Sequence, residues 1–328
     1  MIIFGGIMTI RRRVSWLIRS PARLHVVYRI DDFTNNLKVR RLLHILLIPV
    51  GMLNLIRLKL MTRSPEKFMY QLSIVTTVKN EAPYLREWLR YHISVGVQHF
   101  YLYDNDSQDN LDEVLKDFSD YVTLTKIHGR VRQFDAYNDA INRFRYETKY
   151  MAVIDADEFI FRPGKDKLLL PLIDYLLSNK SFGGLAVNWA IFGSSGLKKK
   201  PLGLVTDNFV YRANDNFRKN RLVKTICNPR KVFYFSVSHA ANYLPGFYAV
   251  NENQEKVDWT TTQVPSISKI RINHYYSKSQ EEFLRKRARG AGDVVGLRDL
   301  GEFAEHDRND VFDDSLRVYN ESRGLNKD

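Results

Sequence analysis

Two aspartates separated by one residue, Asp155 and Asp157, directly follow a run of apolar residues at positions 150–154. Once the chain leaves a buried strand, both carboxylates can turn into the same cleft. Carboxylate oxygens are hard ligands that suit Mg²⁺ or Mn²⁺, and such an ion can bridge the phosphates of a nucleotide. Acidic loops are also common as solvated turns. The position of the pair after an apolar strand favours a metal- and diphosphate-binding centre.

The ends of two other apolar segments carry groups suited to the rest of a nucleotide. Thr77, Lys79 and Glu81 lie at the end of one segment, and Asp104 begins a polar turn after another. Their donors and acceptors match the edge of a uracil and a ribose. The same residue types also favour turns and helix starts, so each loop alone fits a structural role equally well.

A further segment, residues 273–290, combines His274 with five basic side chains that could meet a diphosphate: Lys278, Arg285, Lys286, Arg287 and Arg289. Neutral imidazole binds divalent ions, and guanidinium groups match phosphate oxygens. The segment can therefore complete a metal and diphosphate site, with His274 as a third metal ligand. From the spacing alone, a solvated basic helix beside a packed histidine is the simpler interpretation.

These residues need a scaffold that brings them to one edge. Short apolar and β-branched runs predict four strands, at residues 72–78, 98–103, 122–127 and 150–154. Three- and four-residue periodicity predicts helices between them, at residues 81–95, 111–118 and 136–146. This alternation predicts an α/β fold with a doubly wound, mostly parallel sheet. Ligands of such sheets bind at the carboxyl ends of the strands, where the polar segments after three of these strands lie.

Beyond residue 160 the patterns are weaker. A strand is predicted at residues 183–192, a basic helix at residues 280–289, and a polar tail or loose helix after residue 297. Trp189 lies in that strand before a flexible loop. An aromatic plane beside a cleft suits an acceptor sugar, although a tryptophan packed in the core is at least as common.

The net charge of +13 is concentrated near the N-terminus, where residues 1–70 hold 13 basic and 3 acidic side chains. This imbalance predicts an anionic partner for residues 1–66. No zinc-finger, RNA-recognition or helix-turn-helix pattern is present in the sequence. We therefore expect the inner face of the cell membrane as the partner, and no nucleic acid. The single cysteine, Cys227, excludes an intrachain disulfide and fits a cytoplasmic location.

The apolar run at residues 42–56 is 15 residues long, whereas a spanning helix needs about 20. It fits either a helix packed on the rest of the protein or an anchor lying in the plane of the membrane between basic residues. We expect three regions: a membrane-associating extension at 1–66, a catalytic domain at 67–295 and a polar tail at 296–328.

Taken in order, these segments resemble the nucleotide-sugar glycosyltransferases of the GT-A fold, within the broad family 2-like group. They resemble most of all the family 92 glycosyltransferases and their bacterial relatives. The resemblance covers about residues 72–292. It rests on KNE at 79–81, EWLRYH at 87–92, YDNDSQDN at 103–110, IDADEF at 154–159, WAIFGSSG at 189–196, NHYYSKS at 273–279 and KRARG at 286–290.

The resemblance implies roles for individual residues. It implies that Lys79, Glu81 and Asp104 hold the nucleoside, while the aspartate pair holds Mn²⁺ or Mg²⁺ and the diphosphate. It also places His274 and Lys278 beside the donor phosphates. These implied roles favour function over the structural alternatives for the five residues whose spacing left both open: Lys79, Glu81, Asp104, His274 and Lys278.

The resemblance further implies transfer with inversion at the sugar, which requires a general base for the acceptor hydroxyl. No acidic pair follows Trp189, and the nearest carboxylates are Asp207 and Asp215. We take Asp207 as the candidate base. The expected reaction moves a hexosyl group from a nucleoside-diphosphate sugar, such as a UDP-sugar, to a saccharide or lipid-linked saccharide in the synthesis of cell-surface polysaccharide.

Two other functions use similar residues. A metal-dependent phosphohydrolase or nucleotidyltransferase usually has clustered His and Asp ligands or a glycine-rich phosphate loop, and neither pattern occurs in the sequence. A non-catalytic adaptor on the same fold is expected to have lost the aspartate pair, which is intact here.

Overall fold

The computed structural model describes residues 36–288 and 299–326. Its helices are α1 (Leu37–Leu46), α2 (Ile48–Leu60), α3 (Ala82–Ser94), α4 (Leu111–Lys116), α5 (Gln133–Phe144), α6 (Leu169–Leu176), α7 (Val205–Asn208), α8 (Gln280–Ala288), α9 (Gly301–His306) and α10 (Ser315–Arg323). Its strands are β1 (Tyr70–Val78), β2 (His99–Asn105), β3 (Val122–Ile127), β4 (Thr148–Val153), β5 (Glu158–Phe161), β6 (Phe182–Ile191), β7 (Tyr211–Arg212), β8 (Val223–Cys227), β9 (Val232–Phe235), β10 (Ala241–Tyr243), β11 (Tyr248–Val250), β12 (Lys256–Val257), β13 (Arg271–His274) and β14 (Val311–Phe312). Arg289 and most of the basic extension, residues 1–35, lie outside the described residues.

A ten-stranded sheet forms the centre of the protein, and its main path runs β12-β11-β6-β8-β4-β1-β2-β3. β1 pairs in parallel with β2 and β4, and β2 pairs in parallel with β3. β8 lies antiparallel between β4 and β6. β13 extends the sheet beside β6 in parallel and pairs with β5 in antiparallel fashion. The predicted α/β class with a mostly parallel sheet is confirmed.

The central strands are buried on both faces, which explains their continuous apolar sequences. Alternate residues of β1 face opposite sides: Leu72 and Ile74 join the core that contains α3, whereas Val75 joins the core that contains α5. Trp88 of α3 and Tyr137 of α5 are fully buried in these two layers. The helices thereby fix the sheet from both sides, and the carboxyl ends of the parallel strands remain at one edge.

The apolar run at 42–56 forms parts of α1 and α2. Pro49 lies in the first turn of α2, where its missing N–H breaks no helical hydrogen bond. Leu58 packs with Phe233 and its neighbours, so α2 is docked on the body of the protein. No single helix in the described residues is long and apolar enough to cross a membrane. The bent pair Leu37–Leu43 and Ile48–Leu60, at 44°, meets the length and composition criteria together.

Residues 299–326 pack on the body of the protein, which differs from the polar tail or loose helix predicted from sequence. β14 pairs with β7, and Leu316 and Tyr319 of α10 are buried in the main core. Asp313 binds Arg212 and Arg271, each at 2.7 Å. Burial opposes ionisation, but Arg271, Ser315 and Arg212 outweigh it and lower the pKa of Asp313 to about 2. The segment looked like a tail because buried ion pairs, rather than apolar residues, supply much of its attachment.

Candidate active site

The parallel register brings the predicted polar segments to one edge of the sheet. Val75 of β1 is paired with Val153 of β4, so Thr77 lies level with Asp155 two residues further on. On the other side of β1, Val78 is paired with Asp104 of β2. The three strand ends therefore meet at one place, as expected for parallel strands.

The two predicted nucleoside loops are tied to each other by hydrogen bonds. The Asn80 N–H donates to Ser107 Oγ at 3.0 Å, and the Gln108 N–H donates to Asn80 Oδ1 at 2.7 Å. Asp104 Oδ1 accepts from the Ser107 N–H at 2.9 Å, which closes its own turn. Asn80 lies in the left-handed region at φ 54°, a conformation that asparagine tolerates better than most residues. The loops are therefore joined at the carboxyl edge of the sheet, with Lys79 half-buried and Glu81 buried in them.

Asp155 is held by three protein donors. Its Oδ2 accepts from Lys224 Nζ at 2.7 Å, and its Oδ1 accepts from Gln133 Nε2 at 2.7 Å and Tyr137 OH at 3.1 Å. Burial favours the protonated acid, but the Lys224 ammonium outweighs it and lowers the pKa of Asp155. Asp155 is therefore an ionised anchor that fixes Lys224 and the start of α5.

Asp157 faces a second set of groups. Its Oδ2 accepts from Lys286 Nζ at 2.5 Å, and its Oδ1 lies 3.5 Å from His274 Nε2. Burial favours the protonated acid, yet Lys286 and His274 hold the pKa of Asp157 well below its usual range. Burial also lowers the pKa of His274, so its imidazole is neutral near pH 7. One carboxylate oxygen and one imidazole nitrogen thus converge at this point.

Glu158, next in the chain, is fully buried between these groups. Burial raises the pKa of Glu158 well above its usual range, although Lys224 opposes the shift. Its Oε2 accepts from the Asp155 N–H at 2.9 Å. Its Oε1 and His274 Nδ1 are 3.9 Å apart, and neither has a hydrogen-bond partner within the described chain. Glu158 therefore holds the backbone of the loop between Asp155 and Asp157 and does not face solvent.

A family model for glycosyltransferase family 92 matches residues 72–291, the part of the chain that contains this whole arrangement of strand ends and side chains. The chain belongs to glycosyltransferase family 92. The resemblance to family 92 predicted from the sequence motifs is thereby confirmed.

Relatives of this family 92 chain include plant proteins. A family 92 protein of Oryza sativa subsp. japonica is 29% identical over 244 residues, which cover 73% of this chain and 39% of the relative. A galactan beta-1,4-galactosyltransferase of Arabidopsis thaliana is 32% identical over 121 residues, covering 33% of this chain and 24% of the relative. The chain spans about two fifths of the length of two plant relatives that it matches over 73% and 69% of its own length.

Among solved structures, TarS of S. aureus in complex with UDP aligns with a TM-score of 0.32 and 12% identity, over 48% of this chain and 47% of that one. A glucosyl-3-phosphoglycerate synthase from Mycobacterium tuberculosis, in complex with Mn²⁺ and UDP-glucose, aligns with a TM-score of 0.28 and 12% identity, over 39% of this chain and 50% of that one.

The donor set fits a divalent ion at Asp157 and His274. Ligand atoms on an octahedral ion of this kind lie about 3 Å apart, close to the 3.5 Å between Asp157 Oδ1 and His274 Nε2. Asp155, predicted as a further ligand, has both oxygens bound by protein donors. No group of three His, Cys, Asp or Glu side chains within residues 36–288 and 299–326 is arranged as a metal site. Mg²⁺ and Mn²⁺ commonly take one or two protein ligands and fill the remaining positions with phosphate oxygens and water.

Four other residues of this family 92 chain were predicted to lie in the site, and they differ in burial and in their contacts. Lys278 is buried, and its charge acts on Asp157. Trp189 is 6% exposed, and its ring packs 4.3 Å from that of His274, so it positions the imidazole rather than presenting an open sugar platform. Arg287 is half-buried beside the lysine that binds Asp157. Asp207 lies on α7, where it accepts a hydrogen bond from Asn320 of α10.

The EWLRYH motif holds the strand that follows the aspartates. Trp88 Nε1 donates to the Glu158 carbonyl at 2.8 Å, and Tyr91 OH donates to the Ile160 carbonyl at 2.8 Å. The Ile160 N–H lies 3.2 Å from His92 Nε2. Burial lowers the pKa of His92 to about 3, so the ring is neutral, with its proton assigned to Nδ1 and Nε2 as acceptor. Three side chains of α3 therefore fix β5 and, through it, the position of Glu158.

Three side chains that contact Asp155 were missed by sequence reasoning: Gln133, Tyr137 and Lys224. Lys224 carried a usable signal, because it is the one charged residue in the otherwise uncharged run VKTIC. A buried lysine needs a counter-charge, and here Asp155 provides it. Gln133 was missed because α5 begins three residues before the predicted helix.

Proposed function

We propose that the chain transfers a hexosyl group from a UDP-sugar to a saccharide or lipid-linked saccharide, with inversion at the anomeric carbon. The observation that carries the proposal is the placement of Asp157. Its Oδ1 faces the neutral imidazole of His274 at 3.5 Å, directly beside the two joined loops at the carboxyl edge of the sheet. Family 92 membership supports a sugar transferase over a phosphohydrolase or a nucleotidyltransferase.

In this mechanism the acceptor oxygen forms a bond to the anomeric carbon as the bond to the diphosphate oxygen breaks. The electron pair of that bond leaves with UDP, and the acceptor proton passes to a base. Asp157 and His274 would hold a divalent ion, which would offset the charge that develops on the leaving diphosphate. Lys286 binds Asp157 directly and the charge of Lys278 also acts on it, so both ammonium groups add fixed positive charge there.

Asp207 is the proposed base for the acceptor hydroxyl. It lies on α7, and burial raises the pKa of its carboxyl, which strengthens it as a proton acceptor. Its Oδ1 is held by Asn320 Nδ2 at 2.9 Å, so the carboxylate has a fixed orientation. The proposal places the acceptor on the side of the donor that faces α7.

We propose that residues 1–66 bind the anionic inner face of the cell membrane and place the enzyme there for the synthesis of cell-surface polysaccharide. Support comes from the apolar side chains that α1 and α2 expose: Leu37, Val39, Leu42, Ile45, Leu46, Val50, Met52, Leu53, Ile56 and Leu60. Lys59 Nζ donates to the Pro245 carbonyl at 2.7 Å, which fixes α2 against the domain while its other face stays exposed. Apolar side chains with basic residues around them suit a helix lying in the membrane interface.

The proposed function is tested by incubating the full chain with individual nucleotide-sugars and Mn²⁺, and measuring release of the nucleoside diphosphate. We expect turnover with at least one UDP-sugar and its loss in Asp157→Asn. Asp258→Asn, a change at a highly exposed aspartate, is the matched control and should keep full turnover. Release of inorganic phosphate or of nucleoside monophosphate in place of the diphosphate would instead indicate one of the rival enzyme classes.

A further inference from the structure

A further histidine, His239, is attached to the same edge of the sheet as the aspartate pair and has no role in the proposed mechanism. It lies in the connection between β9 and β10. Its Nδ1 lies 3.1 Å from the Val223 carbonyl, and its own carbonyl accepts from Thr225 Oγ1 at 3.0 Å. Both bonds attach the connection to β8. Because β8 runs antiparallel to β4, with Thr225 paired to Val153, Val223 lies level with Asp155.

The hydrogen bond to Val223 determines which nitrogen of His239 carries the proton. A carbonyl oxygen can only accept, so Nδ1 donates to it and Nε2 keeps its lone pair. Burial and the Lys224 ammonium lower the pKa of His239 to about 4, so the ring is neutral near pH 7. Within residues 36–288 and 299–326, Nε2 makes no hydrogen bond to the protein. His239 therefore presents a hydrogen-bond acceptor that the described part of the chain does not use.

His239 and Asp155 are accessible parts of a mostly buried site. Both side chains are half-buried, whereas Lys224 and Trp189 are buried. The centre of the Trp189 ring lies 5.1 Å from that of His239 and 4.3 Å from that of His274. The charges of Asp155 and Lys224 both act on His239. The imidazole therefore lies close to the groups around the aspartate pair and is open to a ligand.

The order of the strands places His239 on the far side of the aspartate pair from the nucleoside loops. β2, β1, β4 and β8 are consecutive neighbours in the sheet. The nucleoside loops follow β1 and β2, the aspartates follow β4, and His239 is attached to β8. A UDP-sugar has three parts in a row, which are the uridine, the diphosphate and the sugar. With the uridine at the loops and the diphosphate at the aspartates, the sugar extends toward β8.

We infer that His239 Nε2 accepts a hydrogen bond from a hydroxyl group of the transferred hexose, and that His239 is a specificity-determining residue for the donor. A neutral imidazole can accept from a sugar hydroxyl without adding a negative charge beside the diphosphate. A site built to bind a hydroxyl discriminates against sugars that lack it. The inference rests on the proposed transferase function, because it names the residue that recognises the sugar of that donor.

Two substitutions separate the roles of the two ring nitrogens. The amide nitrogen of asparagine can occupy the position of Nδ1 and keep the bond to Val223, but its side chain is too short to reach the position of Nε2. Glutamine is longer, and its amide oxygen can reach the position of Nε2 as an acceptor. His239→Asn therefore removes the inferred contact, and His239→Gln is its matched control.

The test measures donor binding. The full chain and both variants are titrated calorimetrically with UDP, UDP-glucose and UDP-galactose in the presence of Mn²⁺. We expect the wild type to bind at least one of the two hexose donors. His239→Asn should weaken that binding about fivefold, as expected for the loss of one hydrogen bond, and change the UDP affinity less than about twofold. His239→Gln should keep both affinities within about twofold of the wild type.

Fluorinated donors identify the hydroxyl group. The bound hexose donor is prepared with fluorine in place of one hydroxyl at a time, since fluorine cannot donate a hydrogen bond. At one position the replacement should weaken binding to the wild type about fivefold and leave binding to His239→Asn unchanged. The two changes then remove the same hydrogen bond.

Unchanged hexose-donor binding by His239→Asn would overturn the inference. Equal losses of UDP and hexose-donor affinity would also overturn it, because they indicate a structural role, and so would no coupling at any hydroxyl or no hexose-donor binding by the wild type. With intact UDP binding, each of these results contradicts only the role of His239. Absence of UDP binding by the wild-type chain contradicts the transferase proposal together with the inference.

Discussion

Lys224→Met removes the buried cation beside Asp155 while keeping a long, flexible side chain of similar size. Lys224 is 1% exposed, and its Nζ lies 2.7 Å from Asp155 Oδ2 and 3.5 Å from Glu158 Oε2. Removing one partner of a fully buried ion pair costs about 3–5 kcal/mol. The Asp155 side chain is 33% exposed, so water screens part of its remaining charge and we expect the lower end, about 3 kcal/mol. At about 2 °C per kcal/mol for a chain of this size, Tm should fall by roughly 6 °C.

Thermal unfolding of the full chain, followed by circular dichroism, measures this change. The matched control is Lys149→Met, which breaks an ion pair with Asp174 at 2.6 Å whose side chains are 31% and 40% exposed. An exposed pair of this kind contributes only about 0–1 kcal/mol. A fall in Tm for Lys224→Met no larger than that for Lys149→Met would refute the assignment of Lys224 as the counter-charge of Asp155.

The same variant has a defined pH dependence. In the wild-type chain burial raises the pKa of Asp155, but Lys224 outweighs it and the pKa is lowered. The ionised carboxylate therefore stabilises the fold above the unfolded pKa, and this stabilisation is lost as the pH falls. In Lys224→Met burial acts without the cation, and the pKa of Asp155 rises above its unfolded value. The variant therefore loses stability as pH rises through about 4. The difference in Tm between the two proteins should be large near pH 7 and shrink as the pH approaches about 4.

Three other changes test separate parts of the account. His92→Phe leaves the Ile160 N–H without its acceptor and should lower the free energy of unfolding by about 1–3 kcal/mol; an unchanged denaturation midpoint would contradict this. Asp207→Asn should lower kcat at least about 100-fold with UDP affinity intact, and a kcat within threefold of wild type would remove Asp207 as the base. Leu53→Glu combined with Ile56→Glu should abolish sedimentation with anionic vesicles while turnover persists; continued sedimentation would contradict the membrane proposal.

The first half of the sheet was predictable because its strands are parallel and buried on both faces. Such strands appear in the sequence as short apolar runs. For example, β3 was predicted at its observed bounds, residues 122–127. The aspartate pair follows one of these runs, so its position at the sheet edge followed from the fold class. The loops with Asn80 and Asp104 meet for the same reason, since their strands are neighbours in register.

The partners of Asp155 were not predictable in the same way. Lys224 reaches Asp155 because β8 is inserted antiparallel between β4 and β6, about 70 residues after the aspartate. Only the three-dimensional order of the strands brings the two together. For Trp189 the sequence could not distinguish two roles. An aromatic residue at a strand end suits a sugar platform and also suits packing, and the structure shows its ring packed against His274.

The central claim is that Asp157 and His274 hold a divalent ion on which the diphosphate of the donor binds. Isothermal titration of UDP into the full chain, with Mn²⁺ and with EDTA, tests it most directly in the wild type, Asp157→Asn and Asp258→Asn. We expect Mn²⁺-dependent UDP binding in the wild type and Asp258→Asn, and its loss in Asp157→Asn. UDP binding of equal affinity with EDTA, or retained Mn²⁺-dependent binding by Asp157→Asn, would contradict the claim.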